Sequence, residues 1–193
     1  KENEEVFADL VERCTVLGVG RIKTFSGNRA KDSLSAHEAA VALDQLRLLI
    51  DIAAEKEIIV SAELHQNSLT DSVEAAEDTL RNIDRPLSIC FQPMDFTDSQ
   101  SALDDFRSLH ESIDHVHLQG RRSGEFSLLE DADINYPEFF KMATDLKYSG
   151  DYCIEFVRGC IVDSPDEFRL DEVLETARTD YDFVQRCLSP RKS

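Results

Sequence analysis

Glu63 in IIVSAELH and Glu155 in DYCIEFV stand near the ends of two short apolar runs, and between them in the chain lies a His-x-His segment, DHVHLQG. Two carboxylates and an imidazole can hold a divalent cation or move protons. In a strand, residues i and i+2 share a face, so Glu63 points with Ser61 and His65, and His115 points with His117. Polar groups are therefore aimed inward from otherwise apolar segments. An acid buried alone is costly, so these need a cation, a metal or a solvated pocket beside them.

The elements that must carry these residues alternate in period. Phe7, Leu10, Val11, Cys14 and Leu17 give a helical pattern that stops at Gly18, the usual left-handed C-terminal cap. RIKTF is a short strand. Ser35 with Glu38 is a capping box, and Ala39, Leu43, Leu46, Ile50 and Ala53 continue as a long amphipathic helix. IIVSAEL is β-branched and too short for a helix, so it is a strand. Val73, Ala76, Leu80 and Ile83 mark a helix broken before Pro86, and LSICFQ is the next strand. Ala102, Phe106, Leu109 and Ile113 predict a helix leading into HVHL. Pro137 suits a helix start, with Phe139, Ala143 and Leu146 as its stripe and Gly150 as its stop before DYCIEFV. Ser164-Pro165-Asp166-Glu167 opens the last helix, whose stripe runs Leu170, Val173, Ala177, Tyr181, Val184 and Leu188.

Strands alternating with helices imply βαβ units on a parallel sheet, either doubly wound or closed as a barrel. Polar residues near the ends of several strands favour the barrel, whose active site crowns its C-terminal face. Gly18-Val19-Gly20 precedes a strand, which is the wrong context for a dinucleotide fingerprint.

Composition narrows the partners. With 193 residues, 41% of them hydrophobic, the chain is long enough for one domain, residues 1–193, with a substantial core. Lys+Arg of 21 against Asp+Glu of 39 leave a formal charge of −18, the opposite of what a nucleic-acid backbone requires. No apolar stretch approaches a membrane span. The five cysteines, Cys14, Cys90, Cys153, Cys160 and Cys187, form no CxxC pair and read as reduced residues. That odd count, with no secretion signal, leads to the expectation of a reducing, cytoplasmic location.

Taken in order, LGVGRIKTFSG, VSAELHQNSLTDS, IDHVHLQG and YSGDYCIEF resemble the xylose isomerase-like TIM barrels, a broad family of sugar isomerases and epimerases. The resemblance implies a (β/α)8 barrel in which a glutamate, an aspartate, a histidine and a second glutamate, on strands four, five, six and eight, meet at one divalent metal. Carried onto this chain, these are Glu63, the position of Gln92, His117 and Glu155. The first helix then corresponds to barrel helix two, RIKTF to strand three, and the segment from Phe126 to Ile134 to a weak strand seven. Strands three to eight are expected and strands one and two are not. A full barrel of this kind takes about 250 residues. An unclosed barrel has sheet edges that another segment or a second copy of the chain must cover, so a homo-oligomer is one expectation. Gln92 departs from the pattern, because an amide oxygen binds a hard cation more weakly than a carboxylate, and metal binding is weakened or lost to that extent. Asp95 lies three residues on, beyond Pro93, and is not taken as a substitute for it.

The resemblance implies isomerisation or epimerisation of a small sugar, sugar phosphate or polyol. Glu63 and Glu155 take and return a proton beside a carbonyl, and they share metal ligation with His117 and Gln92. The donors suit Mn²⁺, Mg²⁺ or Co²⁺ better than structural zinc. His65, Lys23, His115 and Arg158 are candidate substrate contacts, although either cation can equally neutralise the inward acids. Arg121-Arg122 is a weaker phosphate candidate. Two rivals stand beside this reading: a degenerate, non-catalytic sugar-binding barrel, and a related dehydratase. The DNA-repair endonuclease branch of the same superfamily fits poorly, since RIKTFSGN offers no histidine and the charge is −18.

Overall fold

The computed structural model describes residues 2–94 and 97–189, so Asp95 lies outside the described residues. Residues 1–91 with 112–115 form one compact unit, and residues 92–111 with 116–193 form another.

The first unit opens on α1 (Glu2–Leu17), which buries Phe7, Val11 and Cys14. Gly18 ends it at φ +69, a conformation glycine adopts without a Cβ clash. Strand β1 (Arg21–Thr24) follows. Helix α2 (Ala36–Ala54) starts on the expected capping box, in which the Ser35 hydroxyl accepts from the Glu38 amide and the Glu38 carboxylate accepts from the Ser35 amide. Two otherwise orphaned amides are satisfied at once. Strand β2 (Ile59–Glu63) runs parallel to β1 with Lys23 opposite Ser61. Helix α3 (Val73–Ile83) is capped by Ser72 and leads to β3 (Ser88–Phe91), which pairs in parallel with β2 and sets Glu63 beside Cys90. The Ile89 amide donates to the Ser112 carbonyl at 2.8 Å, at the start of β4 (Ile113–Gln119).

The second unit holds α4 (Ser99–Leu109), capped by Asp98, and the remainder of β4. It continues through the antiparallel hairpin β5 (Arg121–Arg122) and β6 (Glu125–Phe126) to α5 (Tyr136–Asp145), β7 (Asp151–Phe156) and α6 (Leu170–Leu188). Its core is aromatic. Phe106 meets Phe139 edge-on with centroids 4.8 Å apart, and Phe140 meets Tyr152 at 5.1 Å, arrangements the ring quadrupole favours. Strands hydrogen-bond in the order β1-β2-β3-β4-β7, and the hairpin is a separate two-stranded sheet.

Three expectations change. Ile113 is the first residue of β4 and not the last turn of α4, which ends at Leu109. Its i+4 spacing from Leu109 mimics a helix, but the following Asp-His-Val-His-Leu alternates as a strand does. The segment from Phe126 to Ile134 forms no strand beyond the two-residue β6; it contains a 3₁₀ turn at Leu129–Asp131, and β4 is followed directly by β7 in the strand order. Finally, Pro165–Glu167 is a detached 3₁₀ turn, and α6 begins only at Leu170. Half of the stripe expected on α6 is outside: Leu170, Tyr181 and Leu188 are 58%, 55% and 39% exposed, whereas Val184 is buried as expected, Val173 and Ala177 are half-buried, and Thr176, Asp180 and Phe183 complete the buried face. The buried face is shifted towards Asp180, which accepts from the Leu129 amide at 2.8 Å.

Helix α1 likewise leaves Val6, Val16 and Leu17 exposed. Among the described residues no helix is long and apolar enough to cross a membrane.

Candidate active site

In the first unit Glu63 ends β2 with its side chain 2% exposed, and the Lys23 ammonium donates to its Oε2. Lys23 thus neutralises an inward acid, the alternative role foreseen for it. The strand register explains the pairing, since Lys23 and Glu63 lie on neighbouring parallel strands, offset by two residues along the same face. One layer below, the Ser61 hydroxyl donates to both Asp114 oxygens at 2.8 and 2.9 Å, and Arg21 pairs with Asp114 at 2.7 Å. The sheet interior therefore balances its own charges layer by layer. Lys23 also lies 4.4 Å from the centre of the Phe25 ring, which meets the His65 ring edge-on at 4.8 Å. His65 is half-buried, with its Nδ1 at 2.8 Å from the Gln66 carbonyl. The backbone at Glu63 is fixed from the loop beyond it, where the Thr70 hydroxyl donates to the Glu63 carbonyl at 2.6 Å and meets the Ser26 and Ser68 hydroxyls. His115 belongs to this unit and is half-buried.

In the second unit His117, Glu155 and Gln92 are brought together. His117 Nδ1 lies 3.3 Å from Glu155 Oε2, with the two side chains 7% and 21% exposed. Gln119 Nε2 donates to Glu155 Oε2 at 2.6 Å and to Gln92 Oε1 at 3.1 Å. Arg158 lies two residues beyond the end of β7. It is exposed, and its charge acts on the buried Asp180 carboxylate. Burial raises the Asp180 pKa above the ordinary carboxylate range, with the Leu129 amide and the Arg158 charge working against that rise.

The sequence matches the xylose isomerase-like TIM barrel family over residues 2–180. The chain belongs to that family. A 3-dehydroshikimate dehydratase from Bacillus anthracis is 25% identical over 129 residues, which are 62% of this chain and 46% of that protein. The chain thus matches less than half the length of this relative. Among solved structures, D-psicose 3-epimerase with D-tagatose, from Clostridium cellulolyticum H10, superposes with a TM-score of 0.67 at 13% identity, over 98% of this chain and 72% of that one. A xylose isomerase-like TIM barrel protein from Mycobacterium smegmatis, in complex with magnesium, gives 0.67 at 15% identity, over 97% and 68% of the two chains. Identities this low show the shared barrel fold alone.

The donors of this family member suit a divalent cation. Two ligands at right angles on an ion with bonds of roughly 2.1 Å are about 3 Å apart, close to the 3.3 Å between His117 Nδ1 and Glu155 Oε2.

Two residues of the second-unit cluster were not singled out from the sequence. Gln119 shares a strand face with His117 by i+2 parity, so the signal was present in HVHLQG. Tyr136 gave no such signal. Its hydroxyl, on a fully buried ring, donates to the Gln119 carbonyl at 2.7 Å and accepts from the Gln119 amide at 3.2 Å. A cleft of about 350 Å³ lies beside Gln119, lined also by Pro93, Met94, Arg121, Asp133 and Tyr136.

Proposed function

We propose that this chain carries the catalytic part of a metal-assisted isomerase or epimerase acting on a small sugar or polyol. Glu63 and Glu155 serve as the paired acid and base. The observation that carries the reading is the His117–Glu155 pair at 3.3 Å, anchored by the amide of Gln119, a residue that also lines a cleft of about 350 Å³. The structural likeness to D-psicose 3-epimerase points the same way.

In this reading one glutamate takes the proton from the carbon beside the substrate carbonyl, leaving an enediolate. The other returns a proton to the opposite face, so the carbon is inverted with no net change in atoms. Lys23 balances the Glu63 charge through their ion pair. By the family pattern Glu63, His117 and Glu155 would hold the metal, with Gln92 at the fourth family position. A divalent cation bound there supplies charge stabilisation for the developing enediolate oxygen. His65 and Lys23 line the substrate side of Glu63, with His115 and Arg158 as outer contacts.

Dehydration is the second reading, favoured by the 25% identity to a 3-dehydroshikimate dehydratase. It begins with the same proton abstraction, after which a neighbouring hydroxyl leaves as water. The test is incubation in D₂O with Mn²⁺ and either a ketohexose or 3-dehydroshikimate. Deuterium incorporated beside the ketohexose carbonyl, and lost with Glu63→Gln or Glu155→Gln, supports epimerisation. Formation of the aromatic product from 3-dehydroshikimate supports dehydration. Unchanged turnover in either variant removes the paired-glutamate assignment, and no reaction with either substrate leaves a degenerate binding barrel.

A further inference from the structure

We propose that Gln119 is a positioning residue for Glu155, and that Gln92 acts as the second anchor of the Gln119 amide instead of as a metal ligand. The proposal deepens the reading of Glu155 as a catalytic carboxylate and rests on it for its kinetic consequences.

The orientation of the Gln119 amide follows from its neighbours. An ionised carboxylate can only accept, so the nitrogen end must face Glu155, and a guanidinium can only donate, so the oxygen end must face Arg121. The distances agree, at 2.6 Å from Nε2 to Glu155 Oε2 and 3.4 Å from Arg121 Nε to Gln119 Oε1. The one NH₂ group carries two hydrogens and has two acceptors, the second being Gln92 Oε1 at 3.1 Å. A charge-assisted bond of this kind is stronger than a neutral one and fixes direction as well as distance.

The backbone beneath is held just as firmly. Both the amide and the carbonyl of Gln119 are bound by the Tyr136 hydroxyl. Gly120 follows, and a Cβ there would lie 2.2 Å from the Ser127 carbonyl oxygen, so the next loop packs directly on this backbone. Arg121 is itself braced, 4.3 Å over the Phe126 ring and bound to the Gly124 carbonyl at 3.2 Å.

This arrangement accounts for the glutamine at position 92. An aspartate there would bring a second negative charge to the amide already shared with Glu155, and like charges at such range oppose each other. Glutamine supplies the acceptor without the charge. Gln92 and Gln119 form a neutral clamp that presents one Glu155 oxygen in a fixed direction.

The test combines kinetics, Mn²⁺ titration and side-chain amide NMR on wild type, Gln119→Ala, Gln92→Ala and the double variant. Loss of an outer partner of a ligand typically lowers activity about 10- to 100-fold, and that loss is expected in kcat for Gln119→Ala with KM little changed. Gln92→Ala should weaken Mn²⁺ binding no more than Gln119→Ala does, and the double variant should be no worse than Gln119→Ala, because both changes remove one device. A larger Mn²⁺ loss for Gln92→Ala, or additive losses, would overturn the clamp by making Gln92 an independent ligand. The NH₂ protons of Gln119, assigned by their disappearance in Gln119→Ala, should exchange at least about tenfold more slowly than those of free glutamine, as hydrogen-bonded groups do. Exchange at the free rate also overturns it. If the wild type neither binds Mn²⁺ nor turns over, the proposed function fails, while the amide exchange still decides the clamp.

Discussion

Replacing Asp180 with asparagine sets two opposing effects on a buried acid against each other. The residue is 1% exposed; one oxygen accepts from the Leu129 amide at 2.8 Å, and the other has no hydrogen-bond partner among the described residues. A buried polar atom left unpaired costs roughly 1–3 kcal/mol. Against this stands the attraction of Arg158, which is exposed and therefore screened, and pairs of that kind contribute about 0–1 kcal/mol. Desolvation should win, and the raised pKa has that sign. A carboxyl whose folded pKa is raised stabilises the fold fully below its ordinary value, and that contribution is lost as pH climbs through the folded pKa. Asparagine keeps the oxygen for Leu129 and cannot ionise, so the variant lacks this loss. Its Nδ2 inherits the unpartnered position, which returns part of the gain. The expected result is near-equal stability at about pH 4 and a variant more stable by about 1 kcal/mol at about pH 8. Urea unfolding followed by circular dichroism at both pH values measures this. A variant less stable than wild type at the higher pH would show that the Arg158 attraction outweighs burial.

Other perturbations address the supports of the cluster. Tyr136→Phe removes the hydroxyl that serves both backbone groups of Gln119; it should cost about 1–3 kcal/mol, a fall in Tm of roughly 3–10 °C by calorimetry for a chain of this size. Gly120→Ala forces a Cβ against backbone atoms 2.2 and 2.9 Å away, and a strain of at least about 3 kcal/mol should show as low soluble yield or a much lower urea midpoint. Wild-type behaviour would mean that the loop at Ser127 and Leu128 yields. Thr70→Val removes the donor to the Glu63 carbonyl while keeping the volume, and a loss of about 1–2 kcal/mol in urea unfolding is expected.

What could be read from sequence was whatever local chemistry decides. The Ser35–Glu38 box, the Gly18 stop and the β-branched run of β2 are set by groups within a few residues of one another, and each forms where expected. The acids and His117 were legible because a polar group at an inward position of an apolar strand is rare. The burial of Asp180 on α6 was not legible, because the amide it binds belongs to Leu129, 51 residues away. Tyr136 was hidden for the same reason, since nothing in its own segment shows that its hydroxyl serves a strand 17 residues away.

The apolar side chains left in solvent on two helices have a consequence for handling the protein. Val16 at 85% and Leu17 at 77% exposure on α1, and Leu170 and Leu174 at 58% and 56% on α6, are sticky surface. Mutual repulsion between copies carrying a charge of −18 holds such surfaces apart. That repulsion is colloidal and not built into the fold, so it weakens as salt shortens the Debye length to about 3 Å at 1 M and disappears as pH approaches the isoelectric point near 4.5. High-salt purification and acidic buffers are therefore the conditions under which this chain will cloud, with every helix and strand still in place.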